Sequence, residues 1–494
     1  MSSRFRIFAF VAGVLFLFNL LMWSGVATLW SGGEAALWWD SHLNKGEAGL
    51  PGFFIGALSS LAVDLVKARW LSASLLILSL LLFNWIGQKV FTRERIVLTL
   101  LVLVSSLMLP NLGKIATADM YLFVAHFGGF LSLLLFLRQP NFYWRGTVYF
   151  FLGLGLWLHP LSSIVFWAVF YLWIGWRHPN GKTLHQLWLW LVAPLGLLVL
   201  AVCDQLHWAP TGFVFSLSAL PFGKFILYSL LGLAPFWGYL LGGLRDNALL
   251  LRKKEEQAII YSGGILAGLL SMSVSWQAFL GLLIAKQMTV YFKENYPFRE
   301  WVKAGALVHL FLVFGLAFLL LYNGFIYFKG AGFRAAMSLS GAYWALSFVG
   351  IVGLYGQRRA LALGASILSG LIGTTFFWVR FYPLLESNRK IATELVVEAK
   401  KAAPEATRLL LWQEAGSALS NMAVYGMEAF DEVRLVGEMA EFQKEMDEEP
   451  SVGLIKQSPS FILPEGKTID SLQLTSWGDW MVPEAWMVIR PLDK

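Results

Sequence analysis

The chain has 494 residues, of which 57% are hydrophobic, only 14% charged and 23 are Trp, and its formal net charge is +7. That composition excludes an ordinary water-soluble globule and a disordered chain, and points to lipid as the solvent. One cysteine, Cys203, excludes a disulfide framework and a CxxC metal motif. The basic surplus sits in short loops between apolar runs, where membrane topology accounts for it, so no nucleic-acid partner is expected.

A hydrocarbon core is crossed by roughly 20 helical residues. With no water to bond the backbone, an open chain crosses only as helix. Apolar runs predict about thirteen spans, near residues 7–30, 71–88, 96–112, 120–137, 146–158, 161–176, 187–207, 225–244, 258–273, 279–292, 304–328, 336–355 and 360–378. An odd count puts the termini on opposite sides. With the N-terminus inside, the inner segments carry 18 Lys and Arg and the outer segments before the tail carry 7, so the first residues are expected to be cytoplasmic. The first span is read as a retained anchor, because it is long and lacks a small-residue cleavage site before Ser31.

The expected fold class is therefore an all-α polytopic membrane protein, residues 1–384, followed by a small soluble α/β domain, residues 385–494. The boundary is a shift in charge: the tail holds 11 basic and 19 acidic residues, the part before it 27 and 12. Within the tail, the spacing predicts apolar strands at 408–412, 433–436 and 452–456, helices at 417–425 and up to Glu449, and turns at Pro450 and Gly453. Gly264 and Gly268, at helical spacing, predict close helix packing and not a phosphate loop.

Acidic residues are scarce in the membrane part, so those present carry information. Glu34, Asp40, Glu47, Asp64, Asp119 and Asp204 fall on the outer side, while Glu94, Asp246, Glu255, Glu256, Glu294 and Glu300 sit among inner cations as solvated partners. Carboxylates near apolar surroundings are functional candidates. The first outer loop, 31–70, runs through Gly32-Gly33-Glu34-Ala35, Trp38-Trp39 and Gly49-Leu50-Pro51-Gly52 to a helix of about fourteen residues at 53–66, a length suited to the interface.

The loop Glu34-Ala-Ala-Leu-Trp-Trp-Asp-Ser-His-Leu-Asn-Lys-Gly46 with Pro51, then Ala68-Arg69-Trp-Leu-Ser-Ala73 and Ala116-Thr-Ala-Asp119-Met-Tyr-Leu122, resembles the polyprenyl-phosphate-dependent membrane glycosyltransferases of the GT-C fold. These include protein O-mannosyltransferases and the lipid A aminoarabinose transferase. In the family an Asp-Glu-Ala segment leads through aromatics to a Pro-Pro motif and an interfacial helix. The departures fall on the chemistry: Gly33 and Gly49 replace two acids, Pro51-Gly52 replaces Pro-Pro, and His159 stands for a Lys.

The resemblance implies an inverting transfer of a sugar from a polyprenyl phosphate to an acceptor at the outer face of a bacterial inner membrane. The acceptor is unspecified: glycan, lipid or protein. Such a reaction needs a base for the attacking hydroxyl and positive charge for the departing phosphate. Glu34 or Asp119 would be the catalytic acid–base group, with Glu47 a weaker substitute on the substrate side; Arg69 and Lys114 would hold the phosphate, helped by His159 if protonated. No cofactor is implied firmly, and a divalent metal is left open.

Plainer readings stand beside these. Asp119 could cap a helix, Arg69 could snorkel, His159 could satisfy backbone before Pro160, and Lys286, within a short span, could reach inner water. The alternative function is a non-catalytic relative that binds lipid-linked sugar or serves as a membrane subunit; the lost acids at Gly33 and Gly49 favour it.

Overall fold

The computed structural model describes residues 3–22, 65–114, 118–187, 221–381, 391–412, 426, 429–436, 439–448, 450–456, 467–470, 476–477, 483–484 and 486–491. Glu34, Glu47, the rest of the first outer loop up to residue 64, the span from 188 to 207 with Cys203, and the tail stretch 417–425 lie outside the described residues.

The helices are α1 (Ser3–Met22), α2 (Leu65–Gly87), α3 (Arg93–Ser105), α4 (Leu109–Leu112), α5 (Ala118–Arg138), α6 (Phe142–Leu158), α7 (Pro160–Arg177), α8 (Phe222–Gly232), α9 (Trp237–Arg252), α10 (Glu256–Leu270), α11 (Ser275–Val290), α12 (Arg299–Tyr355) and α13 (Arg359–Phe376). A π-turn, Phe377–Phe381, continues α13. Five stretches among the described residues are long and apolar enough to cross a membrane: Arg69–Gly87, Asp119–Arg138, Arg299–Tyr322, Phe333–Tyr355 and Arg359–Val379. A sixth arises if α8 and α9 count together. So five or six of the thirteen expected spans appear as full-length helices; Phe5–Leu20, Leu161–Arg177 and Glu256–Leu270 are shorter apolar helices.

The run α12 spans 57 residues, which would measure ~85 Å if straight. It doubles back. The Tyr355 hydroxyl donates to the Lys303 carbonyl at 3.2 Å, the His309 and Tyr343 rings lie 6.2 Å apart, and Leu320 and Leu321 pack with Ala335, Ala336 and Leu339. The chain therefore reverses between Tyr322 and Phe333, giving the antiparallel pair that the separate apolar runs predict.

Two expected spans are broken. Residues 225–244 divide at Leu233–Phe236, with α8 and α9 bent by 112°; Pro235 there has no N–H to extend a helix. Residues 96–112 divide at Ser106–Met108, between α3 and α4. The breaks repair each other, since Leu107 donates its N–H to the Gly232 carbonyl at 2.7 Å. Glycine is required at this crossing: a Cβ on Gly232 would lie 2.3 Å from Met108 Cβ, and one on Gly370 of α13 would lie 1.8 Å from the Ser105 carbonyl oxygen.

The centre of the bundle is α5, whose crossing window is buried throughout. Gly128 and Gly129 let Phe151 of α6 and Trp167 of α7 approach to distances that a Cβ would occupy. Phe127 and Phe130 of α5 meet Phe279 of α11 with ring centroids 6.2 and 4.7 Å apart. The expected packing glycines do that work: a Cβ on Gly264 would fall 2.7 Å from Phe279 Cδ1, and one on Gly268 2.9 Å from Trp276 Cα.

Polar contacts sort to two ends. At one, Arg138 donates to the Lys89 carbonyl, Arg359 pairs with Glu94, Arg95 donates to Gln257 and Tyr261, and His178 pairs with Glu256. Lys286 is half a correction: it does not reach inner water but pairs with Asp246 at 3.0 Å. Asp246, expected as a solvated partner, is itself buried.

From Ile391 onward the chain builds a five-stranded sheet in the order β2-β1-β3-β7-β4, with β1 Arg408–Trp412, β2 Glu432–Val436, β3 Ser451–Lys456, β4 Lys467–Asp470 and β7 Trp486–Pro491, plus a small ribbon of β5 Ser476–Trp477 and β6 Pro483–Glu484. β1 is parallel to β2 and β3; β7 is antiparallel to β3 and β4. Leu409 and Leu411 face Leu395, Val396 and Ala399 of α14 (Ile391–Ala402), whereas Leu410, Val436 and Ile455 face Phe442 and Met446 of α15 (Met439–Glu448). Both faces of β1 are thus buried, which explains its unbroken apolar run. Gly453, expected in a turn, lies inside β3; a Cβ there would sit 2.4 Å from the Phe442 ring.

Gly370→Ala should destabilise the protein in detergent by about 1–3 kcal/mol or more through overpacking, measured by thermal unfolding. Gly364→Ala, on the same helix with nothing near its Cβ position, should be neutral or slightly stabilising.

Candidate functional site

The site grows from one end of α2. Its buried stripe, Arg69, Ser72, Ala73, Leu76, Leu80 and Phe83, follows helical spacing. Arg69 opens that stripe and is only 1% exposed, so it does not snorkel outward. Leu76, seven residues on and on the same face, meets the Gly113 turn: a Cβ on Gly113 would lie 2.6 Å from Leu76 Cδ2. Arg69 therefore heads the face on which the Gly113–Lys114 segment is seated.

Lys114 follows that turn. It is 1% exposed, and among the described residues its Nζ has no hydrogen-bond partner. It lies over the Trp378 ring, 5.0 Å from the centroid. Burial pushes the amine down to about 6, because an ammonium without an acid nearby loses hydration and gains little in return. At pH 7 the ligand-free amine is thus mostly neutral, and an arriving anion would favour its protonated form.

Asp119, also 1% exposed, lies in the first turn of α5. It is inside the helix and is not its N-cap, yet its charge still suits the positive helix end. Tyr121, Leu122 and Ala125 just below it pack with Leu71 and Leu75 of α2 and with Leu154 and Leu158 of α6. The start of α2, the start of α5 and the end of α6 thus meet at one level. His159 follows directly on Leu158.

His159 does what the plainer reading expected: Nδ1 accepts the Ser162 N–H at 3.2 Å and caps α7. Burial holds the imidazole below its usual range, so it is neutral at pH 7 and, with Nδ1 accepting, carries its proton on Nε2. Its help to a phosphate would come from that N–H and not from positive charge. Arg69, Asp119 and His159 each stand within two residues of that apolar cluster, while Lys114 follows the Gly113 turn, which meets Leu20 and Leu76, and lies over Trp378. Glu34 and Glu47 lie outside the described residues.

Sequence reasoning missed His126. It is fully buried in α5, with Nδ1 2.8 Å from Ser273 Oγ and Nε2 3.0 Å from Ser163 Oγ, and it stacks on Phe166 at 4.3 Å. Ser162 Oγ also donates to the Ser271 carbonyl at 2.8 Å. These bonds pin α5, α7 and the α10–α11 turn beneath His159. A histidine inside an apolar span, seven residues after Asp119, was the available signal. Trp378 offered none, being one of 23. Among the described residues, no three His, Cys, Asp or Glu side chains gather to hold a metal ion.

The multi-helix apolar body and C-terminal sheet seen among the described residues make a GT-C-like fold. No protein-family model matches the chain, and no curated protein matches it. Two solved structures are similar over nearly the whole length. ArnT from Cupriavidus metallidurans bound to undecaprenyl phosphate is 13% identical with a TM-score of 0.63, covering 99% of this chain and 98% of that one. The apo state of the same enzyme is likewise 13% identical at a TM-score of 0.63, covering 98% of each chain. At that identity the likeness carries the fold.

The buried amine gives a prediction about stability. The unfolded lysine has a pKa of about 10.4 and the folded one about 6, so between those values the unfolded state binds more protons. Stability should therefore rise with pH across that window and fall as pH drops toward 6. In ligand-free protein, the melting temperature of wild type should climb more between pH 6.5 and 9 than that of Lys114→Met.

Proposed function

We propose that the chain is an inverting glycosyltransferase that moves a sugar from a polyprenyl phosphate to an acceptor at the outer face of a bacterial inner membrane. The observation that supports it is Lys114, a buried amine with no acid or acceptor among the described residues, in a fold similar to that of ArnT bound to undecaprenyl phosphate. The count of basic residues supports a cytoplasmic N-terminus and an outer C-terminal domain from about residue 385.

In this reading the acceptor hydroxyl attacks the anomeric carbon while the bond from that carbon to the phosphate oxygen breaks, with inversion. The bonding pair leaves with the polyprenyl phosphate. Lys114 and Arg69 stabilise the charge that develops there, in a site where low dielectric strengthens them, and the His159 Nε2–H adds a donor. Asp119 takes the hydroxyl proton, with Glu34 the other candidate and Glu47 a weaker one. A divalent metal would have to draw on the loop acids, and no step above uses one.

The second reading is a relative that binds the lipid without transferring sugar; it rests on Gly33 and Gly49, which stand where the similar family has acids. Purified protein in nanodiscs, offered a panel of polyprenyl-phosphate sugars, separates the two. Transfer should be seen, reduced roughly 10²–10⁴-fold by Asp119→Asn with folding intact, and Arg69→Ala should weaken donor use. Binding across the panel with no transfer would sink the enzyme reading in favour of the second.

A further inference from the structure

Among the described residues two lysines of the membrane part are buried, and their surroundings are opposite. Lys286 is paired with Asp246 at 3.0 Å. Lys114 meets an aromatic face instead, and that face is held from two directions. Trp378, 2% exposed, sits in the π-turn Phe377–Phe381, an irregularity that shifts it out of the register a continuing α-helix would impose. Its indole N–H donates to Asn111 Oδ1 at 2.6 Å. Asn111 in turn donates through Nδ2 to the Leu107 carbonyl at 2.5 Å, and its own carbonyl accepts the Lys114 N–H at 3.1 Å. One residue thus holds both the backbone of the lysine and the ring beneath its ammonium.

We infer that Trp378, fixed by Asn111, is the positioning residue that keeps the Lys114 ammonium set for the phosphate of a polyprenyl phosphate. The inference rests on the transferase reading above and deepens it. A carboxylate in the place of the ring would neutralise the lysine and compete with the phosphate, as Asp246 does for Lys286. An aromatic face stabilises a cation through its quadrupole but takes up none of the ammonium's three donors in conventional hydrogen bonds. The charge that an arriving phosphate induces is steadied, and the N–H groups stay available. Gly113 lets the preceding turn seat against Leu76, with Leu20 3.4 Å from the same Cβ position. The Lys114 side chain therefore has the ring as its one electrostatic support among the contacts described.

The test uses the full chain in nanodiscs and measures binding of undecaprenyl phosphate and, separately, of inorganic phosphate. The variants are Trp378→Leu, Trp378→Phe, Lys114→Met and the Trp378→Leu/Lys114→Met double. Trp378→Leu should weaken lipid binding roughly 2- to 30-fold, whereas Trp378→Phe, which keeps an aromatic face, should lose less. In the Lys114→Met background, Trp378→Leu should cost little more, since a residue that acts through another shows coupling in a double-mutant cycle. An equal loss in both backgrounds would make Trp378 general packing and overturn the inference. If Trp378→Leu does not fold, the Phe variant decides: a loss as large as that of Lys114→Met counts against the ring face. Variant effects confined to inorganic phosphate would assign the site to the free ion and overturn the lipid assignment. Wild type that binds neither phosphate would sink the transferase reading itself, and this inference with it.

Discussion

The structure depends on one constraint: inside a bilayer no water pairs a loose backbone group, so any interruption of a helix must be repaired by protein. The chain interrupts two helices where they cross, at Ser106–Met108 and at Leu233–Phe236, and the Leu107 N–H finds the Gly232 carbonyl. Gly232 and Gly370 lack side chains because Met108 and the Ser105 carbonyl occupy that space. From this repair follows the offset of the last turn, α4. That turn carries Asn111 to Trp378 and delivers Gly113 and Lys114 to the face of α2 headed by Arg69.

Low dielectric then separates the charged groups by role. A buried cation costs far more unpaired than paired, so the contrast between Lys286 with its carboxylate and Lys114 with a tryptophan is informative. The first is a closed pair whose charges cancel. The second stores a deficit of negative charge that an incoming phosphate would fill. His159 and His126 play quieter parts, one capping α7 and the other bonding to Ser163 and Ser273. Both hold helices in place beneath Asp119 without adding charge.

The sequence made much of the fold legible, because apolar length and helical spacing are local properties. The α5 span, the antiparallel pair within 299–355, the packing of Gly264 and Gly268, and the β1, β2 and β3 strands of the tail all follow from such patterns. Of the site candidates, Asp119 stood out as a scarce acid, while Arg69 and Lys114 came with the family resemblance; all three are buried. Gly453 misled, because a glycine that admits a ring from α15 looks the same in sequence as one that turns the chain.

By itself, then, the sequence determined the solvent, the helical class and the scarce charges worth watching, since hydrophobicity and charge act residue by residue. Only the tertiary structure decided that Lys286 is answered by Asp246 while Lys114 meets no acid among the described residues, that His159 is a neutral cap, and that Trp378 and Asn111 belong with Lys114. Asn111 and Trp378 are 267 positions apart in the chain. Which charge meets an acid and which meets a ring is set by how helices cross, and no local pattern encodes a crossing.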